Sequence, residues 1–290
     1  MKKRLKKFVR NSLCAAVSAM LVLGNCAVST AYAAQEELPV TVSVEPTDSV
    51  SAELLSPMEL PGIPGLTDEE LRNYYGSSVF IGDSIMLGFR NYSAKQKTFV
   101  HDIQFLAVGS YGANNAMKPV KGSNVHPTYK GKKYQLWDAI PLTGRTRAFI
   151  LLGMNDLAVL GLEGARDKYK ELIDKILETS PDLEIHIISV TYTLEGEGKK
   201  VLNNTNIAEY NTLLLEMALD NGWGYIDLCT PISDGKGNLA ESCCSDGFVH
   251  LTKAAYTLWE SSLIYYANAI YLTQALTQAA AEAAAEITAE

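Results

Sequence analysis

Past its first 33 residues, this chain has no apolar run long enough to span a membrane, which leaves no place for a helical membrane domain. It is also poor in cysteine. Of five cysteines only Cys229, Cys243 and Cys244 lie beyond residue 33, and they form no zinc-type spacing with the four histidines, so neither a metal nor another cofactor is expected. Positive charge is in short supply: 25 Lys and Arg against 33 Asp and Glu give a formal net charge of −8. No nucleic-acid partner is expected, because the overall field repels phosphate unless a local basic patch overrides it. There is no internal repeat. What remains is 290 residues of 47% hydrophobic content, enough for one substantial core of α/β type.

The first ten residues carry Lys2, Lys3, Arg4, Lys6, Lys7 and Arg10; an apolar run follows from Leu13 to Leu23, and small residues lead to Ala31-Tyr32-Ala33. A basic start, a short apolar stretch and an A-x-A site predict a secretory signal peptide over residues 1–33. The protein is then secreted or held at the cell surface, with no stable membrane insertion after cleavage. An uncleaved anchor is the alternative. Cleavage removes those six basic residues and no acidic one, so the net charge moves from −8 to about −14. Export permits a disulfide from Cys229 to Cys243 or Cys244, closing a loop of about 15 residues and stabilising by roughly 3 kcal/mol. Three reduced, buried thiols are the other reading.

Residues 34–66 hold Pro39, Pro46, Pro57, Pro61 and Pro64 among Glu, Ser, Thr and Val without a sustained period, and read as an extended linker. Thr67-Asp68-Glu69-Glu70 is a capping box that starts a helix through Tyr75. Across residues 67–272, short apolar or β-branched runs at 78–82, 103–108, 147–152, 184–190 and 224–228 alternate with helical patterns near 85–92, 112–118, 134–140, 163–179 and 205–221. The runs show little strict alternation, as suits parallel strands buried on both faces. The clearest helix carries Tyr169, Leu172, Ile173, Ile176 and Leu177 as one stripe and stops at Ser180-Pro181-Asp182; Asn221-Gly222 stops the next one. Such an alternation predicts a three-layer α/β/α sandwich around a doubly wound parallel sheet of about five strands. Thr252 is placed to cap a last helix running to about Tyr271. Residues 273–290 are alanine-rich, with high helix propensity and little to bury, and read as a frayed tail.

Four short signals carry chemistry. Gly82-Asp83-Ser84 ends the apolar run 78–82, so the Ser84 hydroxyl stands in the crevice at a strand's carboxyl end; a helix N-cap is the plainer reading, and both can hold. Gly112 lies past the second run, in GSYGANN. Gly153-Met154-Asn155-Asp156 follows the run Ala148–Leu152, and Asn155 there is either a carboxamide donor into the same crevice or a turn residue. Asp246-Gly247-Phe248-Val249-His250 precedes the last helix. His250 is the candidate general base, since imidazole accepts and returns a proton near neutral pH. His186 lies inside a strand pattern and reads as a core residue, while His101 and His126 sit in loops without a suitable carboxylate.

In order and spacing the set resembles the SGNH (GDSL-type) hydrolase superfamily. The resemblance implies a flavodoxin-like strand order and acyl transfer without a cofactor. It implies Ser84 as nucleophile, His250 as base and Asp246 as its carboxylate, with the Ser84 and Gly112 amides and the Asn155 side chain as oxyanion donors. One departure stands out. The family's aspartate lies three residues before its histidine, where this chain has Gly247; Asp246 stands four before. Either a bulge absorbs the extra residue, or a main-chain carbonyl orients His250 instead.

The partner implied is an ester substrate. Lys118, Lys121, His126, Lys130, Lys132 and Lys133 lie in one loop-like stretch after Gly112, with Tyr111, Tyr129, Tyr134 and Trp137 interleaved. That mixture suits an acylated carbohydrate, and a solvated surface loop equally. A secreted esterase that deacetylates polysaccharide or cell-wall glycan is the leading expectation. The alternatives are a lipase, lysophospholipase or thioesterase of the same fold, an acyltransferase, and a non-catalytic glycan-binding protein. The absence of a long apolar lid leans against a lipase.

Overall fold

A computed structural model describes residues 65–289. The expected signal peptide, and all of the expected linker except Gly65 and Leu66, lie outside the described residues. Those two residues already pack on the domain: the Leu66 N–H donates to Asn268 Oδ1 at 2.7 Å.

Thr67 caps the first helix, α1 (Asp68–Gly76), with both halves of the capping box formed. Five strands then build the main sheet: β1 (Ser78–Gly82), β2 (Gln104–Ala107), β5 (Arg147–Leu151), β6 (Glu184–Ile188) and β7 (Gly224–Ile226). All neighbours are parallel and the order is β2-β1-β5-β6-β7, the flavodoxin-like order. The helices are α2 (Ser84–Ser93), α3 (Ala113–Ala116), α4 (Leu136–Thr143), α5 (Met154–Thr179), α6 (Asn204–Asn221) and α7 (Lys253–Ala289).

The register puts Phe105, Phe80, Phe149 and His186 in one row across four strands. Phe80 stacks on Phe149 with ring centroids 4.7 Å apart, and Phe149 on His186 at 4.5 Å. Such pairs add about 0.5–1.5 kcal/mol each beyond the area they bury. His186 is therefore a core residue, as expected: it is 1% exposed, and its Nδ1 lies 2.8 Å from the Tyr266 hydroxyl of α7.

Three elements differ from the sequence expectation. The helix expected over 163–179 begins at Met154, because a short helical segment abuts it at a kink where Gly161 takes φ 71°. The loop-like stretch 118–133 contains a small antiparallel hairpin, β3 (Thr128–Tyr129) with β4 (Lys132–Lys133). The last helix does not end near Tyr271 but runs unbroken to Ala289. Alanine is the best helix former, and neither Gly nor Pro interrupts residues 254–289. Among the described residues no helix is long and apolar enough to cross a membrane, and Cys229, Cys243 and Cys244 are all free thiols.

Candidate active site

Strand ends deliver three of the expected residues to one edge of the sheet. After β1 the chain turns straight into α2. Asp83 is the N-cap, its Oδ1 accepting the Ile85 N–H at 2.9 Å, and Ser84 is the first helical residue. After β2 it enters α3, for which Gly112 is the N-cap. After β5 it enters α5, whose first turn holds Asn155 and Asp156. A first-turn N–H has no partner within its own helix. Among the described residues the Ser84 and Gly112 amides donate to no protein acceptor.

The Asn155 carboxamide ties these turns together. Its Nδ2 donates to Asp83 Oδ2 at 3.1 Å and to the Tyr111 carbonyl at 3.0 Å, so it is strung between the residue before Ser84 and the residue before Gly112. Both of its hydrogens are engaged, and an oxyanion would draw one of them away. Asp156 was not singled out by the sequence. It is 2% exposed, and its carboxylate accepts the Ala113 N–H at 2.8 Å and the Asn114 N–H at 2.9 Å, clamping the start of α3. A Cβ on Gly112 would stand 2.5 Å from that carboxylate, so only glycine admits the clamp. The signal for Asp156 was its place beside Asn155 in the Gly-Met-Asn-Asp turn.

Burial sets the electrostatics on this side. It pushes the Asp83 carboxyl up to about 6; the bond from Ile85 and the nearby His250 pull it partly back, and Asp156 adds to the rise. Burial also raises Asp156, against the two amides and Lys118 that favour its charged form.

The histidine arrives from the far end of the domain sequence, on the loop before α7. His250 Nε2 lies 3.0 Å from Ser84 Oγ, and His250 Nδ1 lies 2.5 Å from Asp246 Oδ2. An ionised carboxylate only accepts, so Nδ1 carries the proton and Nε2 accepts from the serine hydroxyl. The extra residue is absorbed without losing the carboxylate. Gly247 adopts φ 74°, in the left-handed region that favours glycine, and the chain folds back over Asp246. Asp246 Oδ1 then accepts the N–H groups of Phe248, Val249 and His250 at 2.9, 3.0 and 3.1 Å, leaving Oδ2 for the imidazole. Partial burial acts to raise the Asp246 carboxyl. The bonds from His250 and the three amides outweigh it and hold the group well below the usual carboxylate range.

Two bonds close the base loop on itself and a third ties it to the nucleophile side. The Ser245 N–H donates to the His250 carbonyl at 2.8 Å, the Thr252 N–H to Cys243 at 2.9 Å, and the Tyr256 hydroxyl of α7 to the Ile85 carbonyl of α2 at 2.8 Å. The other histidines stand elsewhere: His101 in a short 3₁₀ turn, His126 buried beside the Tyr111 ring, His186 in the core. Among the described residues no group of three or more His, Cys, Asp or Glu is placed to hold a metal ion. A cavity of about 430 Å³ lies elsewhere, between α1 and α7, lined by Tyr74, Arg147 and Tyr271 among others, and contains no serine–histidine pair.

The fold is thus a doubly wound sheet with a serine, a histidine and an aspartate hydrogen-bonded in sequence at its carboxyl edge. Residues 80–258 match the model of the GDSL-like Lipase/Acylhydrolase family, and the chain belongs to that family, whose members hydrolyse esters. No curated protein matches it. Among solved structures it is similar to a Streptococcus pneumonia protein assigned as a platelet activating factor, at 19% identity and TM-score 0.50, over 69% of this chain and 92% of that one. It is also similar to a protein assigned as an acylhydrolase from Bacteroides fragilis, at 17% identity and TM-score 0.49, over 73% and 92%. An acetylxylan esterase from Geobacillus stearothermophilus matches at 13% identity and TM-score 0.45, over 66% and 93%. At these identities the likeness is one of fold.

Proposed function

We propose that the protein is an exported serine esterase that cleaves carboxylic esters through an acyl-enzyme, with acetylated polysaccharide or cell-wall glycan as its substrate class. The observation that carries the mechanism is the unbroken hydrogen-bonded run Ser84–His250–Asp246, with spacings of 3.0 and 2.5 Å. Ser84 Oγ attacks the ester carbonyl as its proton passes to His250 Nε2. The imidazolium formed is held by the Asp246 carboxylate. The negative charge on the former carbonyl oxygen is met by the Ser84 and Gly112 N–H groups, and by an Asn155 N–H exchanged from Asp83 or Tyr111. Collapse expels the alcohol, which takes the proton from His250. Water, deprotonated by the same imidazole, then attacks the acyl-serine; the acid leaves and Ser84 recovers its proton.

The substrate class rests on the cationic, tyrosine-bearing stretch 118–134 that continues from α3, and export rests on the signal-like residues 1–33. The test is a series of aryl esters of increasing acyl length, run beside acetylated glycans on the exported protein. Acetyl preference with release of acetate from the glycan is expected. A preference for long acyl chains with no acetate release would replace this reading with a lipase. Exported protein should begin near Ala34 on N-terminal sequencing, and an intact Met1 would mean an anchored form.

A further inference from the structure

We propose that the segment Lys118–Lys133 is a docking surface for an anionic polysaccharide, lying on the chain that leads away from the oxyanion turn. The inference rests on the esterase reading for its purpose, though not for the binding itself.

The charge distribution is the first ground. The chain as a whole is acidic, with 33 Asp and Glu against 25 Lys and Arg, yet residues 118–133 contain five lysines and no carboxylate. Lys118, Lys121, Lys130, Lys132 and Lys133 are all exposed, and none forms an ion pair with a described residue. Ammonium groups with no carboxylate partner among the described residues, set within an acidic body, make a local positive field.

Geometry is the second. The hairpin reverses at Lys130-Gly131, both with positive φ, and presents Lys130, Lys132 and Lys133 at its tip and return strand. The Lys130 ammonium lies 5.3 Å from the centroid of the Tyr129 ring, and the Lys132 ammonium 5.1 Å from that of Tyr134. Each pair sets a cation over an aromatic ring, bringing together the two kinds of group that meet a sugar bearing an acidic substituent. The patch is also joined to the catalytic turn. Lys118 Nζ donates to Asn115 Oδ1 of α3 at 3.2 Å, and Gln135 Nε2 donates to the Lys118 carbonyl at 3.2 Å.

The residue type argues for a glycan over a nucleic acid. The patch has five lysines and no arginine, so it offers point charges and lacks the planar forks that read phosphate and base edges. A nucleic acid, with its dense phosphate charge, would also meet the acidic remainder of the surface.

The test measures binding of the full exported chain to polygalacturonate, to neutral dextran, to single-stranded DNA and to anionic phospholipid vesicles, at low and high salt. Polygalacturonate should bind in preference to the other three, and salt should weaken it. Lys121→Glu, Lys132→Glu and Lys133→Glu together should lower that affinity by at least about tenfold, while the same three changed to Arg should retain it. A thermal melt of each variant reports folding. Binding that is indifferent to salt or to the Glu substitutions, equal binding to dextran, or stronger binding to DNA or vesicles would overturn the proposal. Aryl acetate turnover by the unaltered protein is measured alongside. If that turnover is missing while charge-dependent polygalacturonate binding persists, the esterase reading fails and the docking surface stands.

Discussion

The nucleophile side and the base side of the candidate site are built in different ways. Ser84, Gly112 and Asn155 stand at the ends of three adjacent strands, backed by Asp83 at 3% and Asp156 at 2% exposure. The base side is one loop, in which the His250 side chain is 45% and that of Asp246 35% exposed. The first is held by the sheet, so its geometry is as rigid as the core. The second is held by an aspartate that hydrogen-bonds its own loop, by one left-handed glycine and by the tie from Tyr256. Buried scaffolding sets where charge can be stabilised, while a half-exposed loop carries the proton. Loss of a scaffold group on the first side, Asp83, Asn155 or Asp156, should act through the fold as well as the chemistry, and a change on the second chiefly through the chemistry.

Ser84→Ala should give the largest loss, about 10⁴-fold or more in kcat with the fold intact, because members of such a constellation act as a unit. Near-normal ester turnover by the pure variant would falsify the mechanism. Asp246→Asn comes next, at about 10²–10⁴-fold in kcat with KM little changed, since the imidazolium loses its counter-charge. An active Asp246→Asn enzyme would reduce the site to a Ser84–His250 dyad and make the base side weaker than the comparison has it.

Asn155→Ala should cost about 10²–10³-fold in kcat, as one lost oxyanion donor does. If this variant also melts well below the parent, its bonds to Asp83 and Tyr111 serve the fold too, as expected of the strand-end side.

The same contrast appears in stability against pH. The Asp83 carboxyl is raised from 3.8 to about 6, so the folded protein holds that proton more tightly than the unfolded chain does. The stability this confers is complete below about pH 3.8 and is lost as pH rises toward 6, a change of about 3 kcal/mol at most. Denaturant titrations of the parent and of Asp83→Asn should therefore diverge in slope across that window, and identical slopes would remove Asp83 from the account. Asp246 has the opposite sign. Its lowered pKa contributes stability that is present above the unfolded value and is lost as pH falls through the folded one. The smallest effect is expected from Gly247→Ala, which places a Cβ at φ 74° and strains the turn by about 1–2 kcal/mol. A melt lowered by a few degrees with a fall of about tenfold in kcat would show that the strain also reaches the Asp246–His250 alignment, and an unchanged melt would remove the strain from the account.

Much of this was legible without coordinates, because periodicity and short turns are local. The five strands follow from apolar runs bounded by short turns, while their order and the expected roles of Ser84, Gly112, Asn155 and His250 come from the family resemblance those turns carry. The hairpin at 128–133 was missed because two-residue strands are too short to show a period, and the first turns of α5 because Gly161 broke theirs.

The partners of Asp156 and of Asn155 had no local sign. Their bonds join residues 42 to 72 positions apart, and only the packing of strand ends brings these together. By itself the sequence determined the alternation that makes a doubly wound sheet and the chemical types of the reacting groups, since both are written in residues close along the chain. Tertiary structure alone decided that Asp246, one place out of register, still reaches His250. That outcome depends on a left-handed glycine, three loop amides and the docking of α7 against α2, and no spacing rule contains them.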